Sequence, residues 1–505
     1  MKKLGWLTAL LALMLLVSAC GGNTNKSANG SANDGTSTNA GKTDSEAVSE
    51  EPYEVVYAFP FWGSIPKDLQ LVQDEINKIS KEKINVTVKL LPIDGSTMDN
   101  QINLMTVSNE KLDMFLMFNY TTQVANGKLY PIGNIMEQNG KGIIDALGQE
   151  YYNSTQIKGV SYGVPSIRDM AQDYGYEIRK DLVDKHNIDL SQVQTFEDFE
   201  KIFSVIKEKE PNMAAINPSS YGKIDPLDNS LGVLLNNGQT DLKVVNWFAT
   251  DEYAQILKTM RKWYQAGYVL KDAAQNKESN ITLIKADKIA GATSHMKPGF
   301  EAQESRATGK EMVAVRVSPP AAKTSTVTNV MLGVSANAEK PEKVVQFLNL
   351  MYTDKDIVNL FDWGIEGQHY VKVQDQENVI KYPDGIDINN VGYTGASWMH
   401  GNQLLSYVFE GEDPEIYKKL AEFNQTALRS KALGFSFDAE PVKAEIAAST
   451  AVLNQYTKPL EVGVLDVDKV LPEFLKKLED AGINKIIEEK QKQLDIWAKE
   501  NNVNP

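Results

Sequence analysis

Between Tyr53 and Phe118 the chain changes its hydrophobic period again and again. Tyr53 to Phe59 reads as a strand. Lys67 to Lys81 carries Leu69, Val72, Ile76 and Ile79 on one helical face. Ile84 to Leu91 alternates Ile84, Val86 and Val88 against polar residues. The next helix buries Met98, Ile102 and Met105, and Ser96 with Asp99 has capping-box spacing at its start. Leu112 to Phe118 is a nearly continuous apolar strand. A strand–helix–strand–helix–strand order predicts a parallel sheet covered on both faces. Ligands of such sheets sit beyond the carboxyl ends of the strands. Phe61-Trp62-Gly63 and Asn119-Tyr120-Thr121 lie just past two of those ends.

At 505 residues the chain is too long for one ordinary core and suits two or more domains. Its 42% hydrophobic and 24% charged residues exclude wholesale disorder and a multi-span membrane protein. The single cysteine excludes an intramolecular disulfide and any cysteine-rich metal or iron–sulfur site. A net charge of −15 repels nucleic acid and anionic lipid. These bounds leave an enzyme or a binding protein.

Lys2 and Lys3, an apolar run from Leu7 to Val17 and Ser18-Ala19-Cys20 form a secretory signal. The run is too short to remain as a spanning helix. Val17-Ser18-Ala19-Cys20 resembles the bacterial lipobox, which implies cleavage after residue 19 and thioether lipidation of Cys20. Acyl chains hold a soluble body at a membrane without a spanning helix. Residues 20–51, rich in Gly, Asn, Ser and Thr, read as a flexible tether with an end-to-end distance of about 30 Å. Gly35 to Thr43 imitates a phosphate loop, but its glycines are one residue too far apart and no strand precedes it.

Helices dominate the later chain. Thr195 and Asp198 bracket a helix start, with Phe199, Ile202, Phe203 and Ile206 inward. Thr250 to Ala266 is stopped by Gly267. Lys285 to Ala292 and Met312 to Val317 read as strands. Glu339 to Met351 is a helix with Pro341 in its first turn. Thr353 with Asp356 opens another, ended by Gly364. Leu471 to Leu478 and Ile483 to Lys499 close the chain as helices, the second with Ile483, Ile486, Ile487, Leu494 and Trp497 along one stripe.

Several motifs resolve to ordinary structure. Gly159-Val160-Ser161-Tyr162-Gly163 matches a nucleophile elbow in letters, yet Pro165 follows where a helix should begin. A turn between short strands is the better reading. His186, His295, His369 and His400 have no metal-ligand spacing. Asp384 to Gly392 fails as a calcium loop because Val391 replaces a ligand and no glutamate ends it. Paired acids for glycoside cleavage stay open, since their spacing is spatial. Sugar rings stack on flat aromatic faces, while their hydroxyls need planar polar partners. Trp62, Trp363 and Trp398 lie beside glycines in loops and are stacking candidates; Trp247, Trp263 and Trp497 belong on helices, in core.

Lipobox, tether, the opening β-α-β-α-β unit and the segment IKGVSYGVPSIRD at 157–169 together resemble extracellular solute-binding proteins of ABC importers, family 1. The segments MRKWYQAGYVLKDA at 260–273, FDWGIEGQHYVKV at 361–373 and the ending from Leu471 resemble a carbohydrate-linked lipoprotein subgroup carrying the C-terminal domain of unknown function 3502. The resemblance implies an α/β, two-lobed periplasmic-binding-protein-like fold of type II. Each lobe would be a mainly parallel sheet flanked by helices, with a hinge between. Lobe one would be 53–167 plus 331–390, and lobe two 168–330 plus 391–505. It implies ligand contacts at Trp62, Asn119 and Tyr120, at Arg168 and Asp169 in the hinge, at Met296, and at Trp363, Glu366, Trp398 and Asn402. Some relatives carry a calcium loop after the helix ending here near Glu210; Pro211 to Asp228 lacks its regularly spaced acids, so no metal and no cofactor is expected. The implied function is a monomeric, lipid-anchored receptor on the outer face of a Gram-positive cell membrane. It captures an oligosaccharide and delivers it to a permease driven by a separate ATPase, without nucleic acid or catalysis. A surface-anchored carbohydrate-cleaving enzyme and a peptide-binding importer receptor are the alternatives.

Overall fold

The computed structural model describes residues 51–504; the signal segment and the lipidation expected at Cys20 lie outside the described residues. In chain order the strands are β1 (Tyr53–Phe61), β2 (Val86–Asp94), β3 (Met114–Met117), β4 (Gly163–Pro165), β5 (Gln172–Arg179) and β6 (Ala214–Asn217). A short hairpin follows, β7 (Ile224–Asp225) with β8 (Leu234–Leu235), then β9 (Ile289–Met296), β10 (Met312–Ala322) and β11 (Met331–Val334). A small sheet of β12 (Val371–Lys372), β13 (Val379–Lys381) and β14 (Val408–Phe409) precedes β15 (Leu428–Arg429).

Two five-stranded sheets organise the molecule, in the orders β2-β1-β3-β11-β4 and β15-β10-β5-β9-β6. In the first, β1 pairs parallel with β2 and β3, while β11 runs antiparallel to β3 and β4. In the second, β5 runs antiparallel to β9 and β10, and only the edge strands β6 and β15 pair parallel. The sheets are therefore mixed, not mainly parallel as expected. The reason is connectivity. A parallel neighbour needs a crossover within its own sheet. β11 and β5 instead enter from the other sheet, so nothing imposes a parallel direction.

Alternation along the strands builds a core on each face of the first sheet. Val55, Tyr57, Leu116 and Leu332 point to one side, with Phe347 and Leu348 from the helix Pro341–Thr353. Ala58, Phe115, Met117 and Met331 point to the other, with Met98, Ile102 and Met105 of the helix Met98–Val107. Tyr176 and Ile178 of the second sheet join Phe199, Phe203 and Trp263. Three C-terminal helices, Lys443–Glu461, Val467–Asp480 and Ile483–Glu500, complete that core through Tyr456, Leu460, Phe474, Leu478 and Leu494. Tyr393, Met399 and Ala427, which the sequence division puts in lobe two, are buried in the first sheet's core.

Three stretches join the two sheets: β4 to β5, β10 to β11, and the passage from the helix Ile416–Thr426 into β15. They are bonded to one another. Ser166 N donates to Val330 O (3.0 Å), Thr326 Oγ1 to Met170 O (2.7 Å) and Ser430 N to Ala322 O (3.0 Å). Asn424, 6% exposed, accepts from Met170 N (2.8 Å) and donates to Arg168 O.

The local signals fared unevenly. Thr195 and Asp198 do bond reciprocally, each backbone N–H to the other's side chain. The box expected of Ser96 and Asp99 does not form. Ser96 bonds Asp94, Thr97 takes the cap position, and Asp99 accepts from Asn119 and Gln123. Asp354 rather than Thr353 caps the helix Lys355–Trp363.

Candidate functional site

Trp62 is the first residue past β1 and Phe118 the first past β3, and these strands are neighbours in the sheet. Trp398 reaches them from a late loop. The three rings form one group, with centroids 6.2 to 6.4 Å apart and planes 25° to 35° from parallel. Trp62 is 54% exposed and Phe118 46%, whereas Trp398 packs partly against the first sheet's core. Exposed apolar rings in a cluster are an unusual use of surface and make this the candidate binding site. Trp62 lies on Gly95, where a Cβ would stand 2.3 Å from its Nε1, so only glycine fits beneath the ring. Beside the rings Asp99 accepts from Asn119 Nδ2 (3.0 Å), and Asn119 Oδ1 accepts from Gln123 Nε2 (3.0 Å).

This platform adjoins the hinge. Ile167 N donates to Gly401 O (2.8 Å) and Gln403 N to Ile167 O (3.0 Å). The loop bearing Trp398 is thus stitched to the strand that leads into Arg168. Arg168 bonds Asp169, and Lys297 Nζ lies 3.6 Å from the same carboxylate. The Arg168 and Asp169 side chains are only 12% and 10% exposed.

The remaining expected residues lie elsewhere. Tyr120 is buried; its hydroxyl donates to Thr155 O (2.9 Å) and accepts from Tyr162 N (3.2 Å). Burial raises its pKa. Met296 is buried at the end of β9, opposite Asp173. Trp363 donates to Ser406 Oγ (3.0 Å) and Tyr407 O (3.1 Å) and packs on Phe409, away from the platform rings. Exposed Glu366 pairs with Lys372 (2.8 Å). Asn402 is buried, accepting from Leu404 N (3.1 Å) and donating to Tyr352 O (3.1 Å), so it anchors the Trp398 loop. Phe118 escaped the sequence reading because it ends an apolar run. Its signal was position, one residue beyond a strand whose last paired residue is Met117.

The histidines are structural. His400 Nδ1 lies 2.9 Å from Tyr57 OH and burial pushes its pKa down to about 3; His186 pairs with Glu210 (2.8 Å) and His369 with Asp68 (3.1 Å). His295 Nδ1 lies 3.2 Å from Asp173 O. Ser161 follows a tight turn in which Ile157 bridges Val160 and Gly159 has φ +77°, as the turn reading expects. Among the described residues no group of three His, Cys, Asp or Glu could hold a metal ion, and no helix is long and apolar enough to cross a membrane.

Two sheets with separate cores, three hinge connections and an aromatic patch at strand ends define a two-lobed solute-binding architecture. Residues 75–364 match the family described as bacterial extracellular solute-binding protein, and the chain belongs to that family. Residues 431–499 match the domain of unknown function DUF3502. A carbohydrate ABC transporter substrate-binding protein of Streptococcus pneumoniae is 27% identical over 451 residues, covering 86% of this chain and 90% of that protein. The crystal structure of the N-glycan transport solute binding protein NgtS of Streptococcus pneumoniae is 26% identical with a TM-score of 0.80, covering 88% of this chain and 99% of that one. Its complex with Man1GlcNAc gives a TM-score of 0.70 at the same identity and coverage.

Proposed function

We propose that the protein is the substrate-binding component of a carbohydrate ABC importer. It captures an oligosaccharide between its lobes and hands it to a permease served by a separate ATPase. The observation that carries this is the ring cluster of Trp62, Phe118 and Trp398 at the carboxyl ends of adjacent strands, beside the hinge. Aromatic faces stack on the apolar faces of sugar rings. Asn119 supplies a planar hydrogen-bonding group next to Phe118, and Arg168 with Asp169 offers two more at the hinge. The glycan ligand of the pneumococcal relative supports the ligand class. The lower similarity to that relative's glycan complex fits lobes that rearrange on binding. From sheet membership, with Tyr393, Met399 and Ala427 in the first sheet's core, we propose lobe one at 53–165 plus 331–427 and lobe two at 172–322 plus 431–504. In this reading Cys20 carries the lipid anchor, and the monomeric receptor sits on the extracytoplasmic face of the membrane.

Calorimetry of the mature chain with the mannose- and N-acetylglucosamine-containing glycans bound by that relative tests the reading. Binding at one site without product is expected. Trp398→Ala lowers affinity at least tenfold, about 1.4 kcal/mol, with an unchanged circular dichroism spectrum. An unchanged dissociation constant removes the platform from the binding site.

A further inference from the structure

The second sheet has its own hinge-side end. β5 starts there, just after Asp169, and β9 ends there with Met296 opposite Asp173. β6 runs parallel to β9 and leaves the sheet at the same end. The chain leaving β6 places Ser219 O 3.1 Å from the Tyr174 hydroxyl that donates to it, and sets Tyr221 against Tyr174, with centroids 4.8 Å apart and planes tilted by 46°. On its other side Tyr221 lies flat on Phe196, with centroids 4.4 Å apart and planes 2° from parallel. A cavity of about 290 Å³ opens here, lined by Phe196 and Tyr221 together with Glu197, Glu252, Gln255 and Lys223. That is near the lower size limit of small-ligand pockets.

The cavity's charge is uneven. Both Glu252 and Glu197 act on the Tyr221 phenol, whose pKa burial raises first. Partial burial raises the Glu252 pKa, Lys223 opposes this, and Glu197 adds to it. Two carboxylates therefore meet one ammonium. The aromatic platform of the first sheet carries Asp99 beside Asn119, and Asp94, which pairs in register with Phe61. At the hinge Arg168 and Lys297 share the single carboxylate of Asp169, leaving one positive charge against the acids of the cavity and platform, and Lys323 is set against the buried Asp225.

We infer that this cavity is the lobe-two saccharide subsite, and that its surplus of carboxylates makes the protein select neutral or amino sugars and reject uronates. A sugar in the cavity lies beside Tyr221 and presents hydroxyl or ammonium donors to Glu197 and Glu252. A sugar carboxylate in the same place meets like charge, the repulsive element that sets specificity. This rests on the oligosaccharide-binding reading and narrows it.

The test is calorimetry of the mature chain at pH 7 and low salt. The neutral probes are β-1,4-mannotriose, triacetylchitotriose and Man5GlcNAc; the acidic probe is β-1,4-mannuronate trimer, which differs from mannotriose in carrying carboxylates at C6. At least one neutral glycan is expected to bind, with the mannuronate trimer at least tenfold weaker. Glu197→Gln with Glu252→Gln is expected to narrow that gap to threefold or less. On the unmodified chain 0.5 M salt should narrow it too, a readout that needs no variant. A mannuronate trimer that binds within threefold of the best neutral glycan overturns the inference and leaves the oligosaccharide reading standing. So does a gap that neither the double variant nor salt changes. If no saccharide binds, both readings fall.

Discussion

Asp362 shows what a single buried group does to this protein. It is 2% exposed at the end of the helix Lys355–Trp363, with no ion pair among the described residues. Burial, partly offset by Ser406, pushes its pKa up to about 8 from 3.8. The fold therefore keeps a proton that the unfolded chain releases between those two values. The contribution of Asp362 is fully present below pH 3.8 and is lost as pH rises toward 8. At pH 7 the cost is on the order of 4 kcal/mol. Asp362→Asn should raise stability toward urea at pH 7 by a few kcal/mol and give no gain at pH 3.5; equal gains at both would refute the assignment. His400 works in the opposite direction. Its pKa is pushed down to about 3, so the unfolded chain takes up a proton the fold refuses, and stability is lost as pH falls from 6.5 toward 3. Neither shift was legible in the sequence, because both come from burial by distant segments. The tryptophans were half legible. Glycine neighbours flagged Trp62, Trp363 and Trp398 alike, but only packing separates the Trp363 indole, whose N–H is satisfied by Ser406 and Tyr407, from the two that face outward.

Elements with a clean period were read well, and those held by tertiary contacts were not. The stripe Ile483, Ile486, Leu494 announced the last helix, which spans Ile483–Glu500. The helix Lys443–Glu461 was missed because Pro459 and a run of small residues blur its face. β5 was missed because its tyrosines and charges are buried by neighbours on both sides. Lys490 shows how such elements are fastened. It lies on the last helix, fully buried, and its ammonium donates to Gly232 O (2.8 Å), Asn229 O (3.1 Å) and Asn229 Oδ1 (3.0 Å). Pro226 O is 3.4 Å away and the Phe437 ring centroid 5.1 Å. Burial lowers its pKa, while Asp228 and Asp225 raise it. A sequence reader sees one lysine in a charged helix. The fold uses it to tie the C-terminal region to the loop after β7. Lys490→Met keeps the volume but strands those carbonyls and the acids beside them, at a cost of about 3–5 kcal/mol. Urea unfolding should show that loss; a change under 1 kcal/mol would mean the ammonium is not what fastens the helix.

At the scale of the molecule, two lobes were legible only through resemblance, since no local period says which sheet a strand will join. The division at residue 390 placed the late loops in lobe two, yet Tyr393 and Met399 are buried with the first sheet. Trp398 packs partly against that same core and lies against Trp62, and three connections join the two sheets. Asn424 sits at their meeting point, on the helix Ile416–Thr426, and holds the backbone on both sides of Asp169. Its side chain touches neither the platform nor the second sheet's cavity, so its effect on a ligand runs through lobe geometry. Asn424→Ala leaves a buried N–H and C=O unpaired, costing about 1–3 kcal/mol for each group. A looser hinge also lowers the population of the binding-competent arrangement, and the apparent affinity falls by that fraction. The variant should bind its glycan several-fold more weakly and show an altered ligand-free small-angle scattering profile. Trp398→Ala should weaken binding while the ligand-free profile stays as it was. If Asn424→Ala bound as tightly as the parent chain, the hinge contacts would be fastenings within one lobe and not part of the closing motion.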